Sequence, residues 1–269
     1  MNFYGANKGT PDTGLIGVTE RGDAGTDFSW HQSLAQPCWA GAVLITKRMS
    51  DRFNQLVLSA PKPCIVHCTC TGNGRTWIEP AAPGYETQLD FLAKLIDAGF
   101  PAERTVLRID PIIPSPEFLG NSERVLQYVL DKHIPVGRVR FSSLDQYPHV
   151  IKRLEEAGRP KFYPDWQPGR YSFHAPDRYK RDLVAMLSKY PFVYETCAED
   201  WAQRFAPGKF VARGCVSELD LKLLGLEGIV AAGANPQNRN GCHCLSVKGE
   251  LLNKRAQCPN RCIYCYWKG

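Results

Sequence analysis

From Gly14 onward, apolar runs of strand length alternate with segments whose apolar residues recur at helical spacing. Gly14-Leu-Ile-Gly-Val-Thr reads as a short buried strand entering the polar turn Glu20-Arg21-Gly22-Asp23, and a helix is predicted from Ser29. Gly41-Ala-Val-Leu-Ile-Thr and Gln55-Leu-Val-Leu-Ser are the second and third apolar runs. Next, strand alternation places Cys64, Val66, Cys68 and Cys70 on one face and His67 on the other. Residues two apart on a flat strand cannot wrap one ion, so these thiols are expected in the core as small hydrophobes. His67 is expected as a hydrogen-bonded core or surface group.

Leu89, Leu92, Leu95 and Ile96 predict an amphipathic helix over 85–98 that stops at Gly99. Beyond it the pattern predicts a proline-terminated strand from Thr105, a helix over 121–132, a strand from Arg138 and a helix over 146–157. A helix over 183–187, a strand from Phe192 to Cys197 and a last strand over 245–252 complete the series. Residues 158–182 break this α/β rhythm: Phe162, Tyr163, Trp166, Tyr171, Phe173 and Tyr179 are interleaved with Arg159, Lys161, Arg170, Arg178, Lys180 and Arg181. Basic groups hold phosphate and aromatic faces stack on bases, so 158–182 is the candidate DNA or RNA contact. The alternative is a proline-rich lid packed down by its own aromatics.

The 269 residues, 43% hydrophobic, suffice for one domain over 1–269, and no break in composition asks for two. No apolar run approaches the ~18 residues that cross a bilayer, and no basic segment followed by an apolar one opens the chain, so a cytoplasmic protein with no membrane partner is expected. The formal charge of +6 is compatible with an anionic substrate and common among ordinary enzymes. Eleven cysteines without an export signal point to reduced thiols serving metal.

Most of that chemistry lies late, in 190–269. Cys258-Pro-Asn-Arg-Cys262-Ile-Tyr-Cys265 sets three thiols at C-x3-C-x2-C spacing. Three thiolates on so short a loop can each hold one iron of an iron–sulfur cube and leave the fourth iron open to a cofactor. A structural zinc site is the rival, although it favours paired C-x2-C units. Cys197, Cys215, Cys242 and Cys244 fall in polar loops that suit core filling poorly, and they can complete a second, fully protein-bound cluster or a four-thiolate zinc site. Arg21, Asp23, Arg108, Asp110, Arg140, Ser142 and Glu195 are placed at strand ends, where barrels carry their chemistry; they are the candidates for cofactor or substrate contacts.

The triad spacing, with Tyr264 directly before the third cysteine, resembles the signature of the radical S-adenosylmethionine (SAM) enzymes. That resemblance implies a catalytic 4Fe-4S cluster on Cys258, Cys262 and Cys265, SAM on its open iron, Tyr264 near the adenine, and a reductant protein such as flavodoxin or ferredoxin. The motifs Arg108-Ile-Asp-Pro-Ile-Ile, Phe141-Ser-Ser-Leu-Asp145-Gln-Tyr, Glu195-Thr-Cys-Ala-Glu199, Gly214-Cys215, Asn238-Arg-Asn-Gly-Cys-His-Cys and Cys258 to Tyr266 resemble, from about residue 62 to the end, the family called domain of unknown function 1848. Of that family's opening Arg-Arg-x-Asp turn, Arg21 and Asp23 are retained; Cys64, Cys68 and Cys70 lie outside its pattern, and the four later cysteines within it.

Radical SAM barrels carry the triad after their first strand. A terminal triad therefore implies a partial or circularly permuted β/α barrel, since ring closure makes the two orders equivalent in space. The tail also resembles that of DNA photoproduct lyases, which with 158–182 implies modification or repair of a nucleic-acid base or nucleotide. A peptide or small metabolite is the alternative substrate, and a non-catalytic electron carrier or zinc-stabilised binding module the alternative class. Radical abstraction requires no Ser-His-Asp set or carboxylate pair, and none is singled out here.

Overall fold

The computed structural model describes residues 14–164, 166, 173–196, 198–228, 242–252 and 258–266. Its frame is an eight-stranded, wholly parallel sheet interleaved with helices. In chain order the elements are β1 (Leu15–Val18), α1 (Ser29–Leu34), β2 (Trp39–Thr46), α2 (Asp51–Leu58), β3 (Cys64–Thr69), α3 (Tyr85–Asp97), β4 (Thr105–Ile112) and α4 (Pro116–Asp131). They continue with β5 (Arg138–Ser143), α5 (Pro148–Glu156), α6 (Asp177–Ser188), β6 (Tyr194–Thr196), α7 (Trp201–Phe205), β7 (Phe210–Ala212), α8 (Glu218–Leu224) and β8 (Lys248–Glu250).

The sheet order β7-β6-β5-β4-β3-β2-β1-β8 adds each new strand on the same side until β8 joins the far edge beside β1. Right-handed crossovers taken in one direction put their helices on one face. Accordingly, Leu44, Val66, Cys68, Leu107, Ile109 and Phe141 meet Leu34, Phe53, Leu89, Val125 and Leu183 in one core. On the opposite face Ile16, Val18, Val43, Ile65 and Val106 pack against Val216, Leu221, Leu224 and Val247. Beyond the edges, the chain after β7 meets the chain before β8: Leu245 N–H donates to the Val216 carbonyl at 2.9 Å. A Cβ at Gly214 would stand 2.3 Å from the His243 carbonyl oxygen, so this contact requires glycine.

The strand thiols are where alternation puts them, with Cys64, Cys68 and Cys70 buried in the helix-facing core. His67 is fully buried on the other face, but neither ring nitrogen has a hydrogen-bond partner among the described residues, contrary to the expectation of a hydrogen-bonded group. Burial first, then Arg140, Arg108 and Arg138, pushes its pKa well below the ordinary histidine value, so it is neutral.

The third apolar run belongs to α2 instead of a strand: Ser50 Oγ caps it by accepting from Phe53 N–H at 3.1 Å, and the apolar side chains Phe53, Leu56 and Val57 turn inward. Helix α4 starts five residues earlier than periodicity indicates because Pro116 occupies its first turn, where a missing N–H is harmless. Helix α8 was not expected; its signals are the Ser217/Asp220 capping box and Gly225 at φ 70°. The last strand is shorter than predicted, three residues against eight. Among the described residues, no helix is long and apolar enough to cross a membrane.

Candidate metal centre and cavity

A cavity of ≈ 530 Å³ opens where the strands end, and both late groups of cysteines border it. Cys258, Cys262 and Cys265 do so from the tail, Cys215, Cys242 and Cys244 from the junction between the two sheet edges.

The tail loop is bolted to the sheet through its non-cysteine residues. Asn260, 1% exposed, donates from Nδ2 to Asp23 Oδ2 at 2.7 Å and accepts from Arg48 Nε at 2.7 Å. Asp23 also accepts from Thr46 Oγ1 at 2.6 Å, Lys47 N–H at 2.8 Å and Gly25 N–H at 2.9 Å, which joins the β1 turn to the end of β2. Tyr264 donates its hydroxyl proton to Glu79, which pairs with Lys47 at 2.9 Å and accepts from Thr71 at 2.7 Å. Burial opposes the charge on Lys47, yet Glu79 and Cys262 raise its pKa above the ordinary lysine value. A permanent cation therefore faces the Cys262 thiol, which burial pushes up to about 12 while Lys47 works in the other direction. Burial likewise raises Cys258.

At the edge junction the Cys215 N–H donates to Cys244 Sγ at 3.1 Å. Hydrogen bonding to the Cys244 thiol, against the effect of burial and with help from the Cys244 backbone and Lys248, brings Cys242 down to about 6. Lys248 reaches Glu20 with both oxygens at 2.9 Å. Cys197 lies outside the described residues.

Of the strand-end candidates, Arg21, Asp23, Arg108, Asp110 and Ser142 line the cavity, as does Tyr264 from the tail loop. Arg108 Nε donates to Asp110 at 2.5 Å, and Ser142 donates to the same carboxylate. Although burial opposes it, Arg108 and Ser142 hold Asp110 below the usual carboxylate range. Arg140 and Glu195 do not line the cavity; they sit mid-strand, in register with Arg108, rather than at strand ends. Glu195 accepts from Arg140 at 2.6 Å and from Arg138 at 2.8 Å, with Arg213 at 2.9 Å. Three cations on one buried carboxylate satisfy it and leave a structural brace under the cavity.

The structure adds two acids that residue patterns alone did not single out. Asp145 and Glu199, each 4% exposed, face the cavity together. Glu199 accepts from Ser143 N–H at 2.8 Å, Ser143 Oγ at 2.9 Å and Trp201 Nε1. Burial, then the neighbouring Asp145, pushes its pKa up to about 7. Asp145 is hydrogen-bonded to His174 Nδ1 at 2.7 Å, and that contact raises the histidine. Both acids stand in motifs already quoted, Phe141 to Tyr147 and Glu195 to Glu199; their pairing depends on β5 and β6 being neighbours.

In the basic aromatic stretch, Phe162, Tyr163 and Tyr179 are buried, and half-buried Trp166 packs on Tyr163. Phe162 stacks on Trp77 at 6.1 Å, and the Tyr163 hydroxyl donates to the Leu144 carbonyl at 2.7 Å. These faces are used in packing. Arg159 is exposed over Trp77, whereas Arg170 and Tyr171 lie outside the described residues.

The residues present fit an iron–sulfur group by chemistry and position: three thiols on one braced loop, a cation beside them, and a cavity within the roughly 300–1,000 Å³ range of ligand sites. Among the described residues no three His, Cys, Asp or Glu groups converge as ligands of a single ion. A cube asks for something different, one thiolate per iron.

The profile described as domain of unknown function (DUF1848) matches residues 32–267, and the chain belongs to that family. The match begins about thirty residues before the motifs that first indicated it and leaves Arg21 and Asp23 outside. A comparison with curated proteins found no match.

Proposed function

We propose that this chain is a radical SAM enzyme whose Cys258, Cys262 and Cys265 hold a 4Fe-4S cluster, on a circularly permuted β/α barrel. The observation that carries the proposal is the tail loop, braced by Asp23, Arg48 and Glu79, bordering a cavity at the C-terminal ends of parallel strands. The link between the chain after β7 and the chain before β8 favours a ring over an open sheet. When bound, the cluster supplies the electron that cleaves SAM to methionine and a 5′-deoxyadenosyl radical. The chain's own work is placement: Asn260 fixes the loop, Lys47 offsets thiolate charge, and Arg108, Asp110 and Ser142 present polar groups to cofactor or substrate. Cys215, Cys242 and Cys244, together with Cys197, would hold a second cluster, with a four-thiolate zinc site as the rival. A cytoplasmic reductant such as flavodoxin or ferredoxin would supply electrons.

The tail's resemblance to photoproduct lyases favours a nucleic-acid base or nucleotide as substrate. Packing of Phe162, Tyr163 and Tyr179 favours a second reading, a small metabolite, because those faces are not free to stack on bases. Anaerobic reconstitution, iron and sulfide assay, and chromatography after dithionite and SAM test the enzyme reading. One or two clusters per chain and 5′-deoxyadenosine are expected, with no product from Cys262→Ser. Zinc in place of iron, or a loaded cluster that yields no 5′-deoxyadenosine, overturns it.

A further inference from the structure

The cavity has two chemically opposite walls. On the thiol side the acids and bases are matched: Lys47 with Glu79 and Lys248 with Glu20. On the β5–β6 side, Glu199 is nine-tenths buried and has no Lys, Arg or His partner among the described residues. Among the described residues its Oε2 accepts from Trp201 alone, which leaves an acceptor position there. Asp145 stands beside it, hydrogen-bonded to the half-exposed His174 at 2.7 Å.

Aromatic faces flank these acids. Tyr147 and Tyr266 meet edge to face at 5.0 Å, and His149 stacks on Tyr147 at 5.6 Å; all three line the cavity. Two lining groups also lack protein partners among the described residues: the Thr69 hydroxyl, in a residue only 5% exposed, and His149 Nε2. Buried polar atoms without partners are uncommon in folded proteins, and in a ligand cavity they mark positions a ligand fills. Carboxylates beside aromatic faces recognise an organic cation, through ion pairing on one side and the ring quadrupoles on the other.

We propose that the Asp145–Glu199 wall, with Tyr147 and Tyr266, receives the protonated amine of a small substrate. The proposal deepens the small-metabolite branch of the radical SAM reading and rests on it only for the reaction, since binding is measurable without turnover. Thr69 then serves a hydroxyl or carbonyl elsewhere on the same molecule.

Calorimetry on the anaerobically purified full chain tests the assignment with putrescine, its neutral counterpart butanediol, and adenosine monophosphate. Putrescine is expected to bind, butanediol at least about tenfold more weakly, and Glu199→Gln to lose about tenfold or more of the putrescine affinity. Tyr147→Leu, on the aromatic wall, provides a second measurement if Glu199→Gln fails to fold, with a loss of roughly threefold to tenfold. Equal binding of diol and diamine, preference for the nucleotide, absence of putrescine binding, or unchanged affinity in whichever variant folds overturns the proposal. Because none of these readings needs cluster or SAM, failure here leaves the 5′-deoxyadenosine result intact, and the reverse holds equally.

Discussion

The two walls of the cavity are both built at strand ends, but they handle buried charge in opposite ways. The thiol wall saturates what it buries: the Asp23 carboxylate accepts four hydrogen bonds from neutral donors, and Lys47 and Lys248 each hold a carboxylate. The acid wall gives Glu199 three neutral donors, no cation among the described residues and a second buried carboxylate beside it, and its proton affinity rises. A wall with its partners in place is rigid and suits a fixed group. One with a missing partner is poised to gain more from an incoming cation than from water.

The sharpest break between the walls is at the tail. Cys262→Ser is expected to remove 5′-deoxyadenosine formation entirely while leaving putrescine binding within about twofold. Loss of both would mean that the walls are one structural unit. Asp23→Ala follows: four donors lose a buried acceptor, so unfolding in urea is expected to cost less by about 4 kcal/mol, and iron retained per chain to fall.

Glu199 gives the next effect, through pH. Its folded pKa of about 7 lies above the ordinary carboxyl value of 4.5, so the folded state binds the extra proton. The stability this supplies is complete below about pH 4.5 and is lost as pH rises through 7, by roughly 3 kcal/mol. Glu199→Gln should flatten that part of the stability profile, read by urea unfolding at pH 5 and pH 8; an unchanged slope would place the carboxylate in a wetter site. The smallest effect is at His174, half exposed on Asp145. Its raised pKa contributes below about pH 6.5 and fades as pH passes the folded value, and His174→Ala is expected to change stability by under about 1 kcal/mol.

Much of the frame could be read before any coordinates. Alternation put Cys64, Cys68 and Cys70 in the core and His67 opposite, because a strand has only two faces. The same reasoning missed α2, whose apolar run is too short to tell strand from helix by period, and missed that Arg140 and Glu195 neutralise each other, since ion pairing across strands requires the register. The tail thiols were legible from spacing alone; their braces were not, for Asp23 and Asn260 are 237 residues apart.

What the sequence determined by itself was local: the strand and helix periods, the caps, and three thiols held together by a short loop. Tertiary structure alone decided which thiols share a cavity, which acids keep a cation and which do not. Those outcomes depend on strand order and on residues distant in the chain arriving at one point, where burial magnifies each missing or present partner.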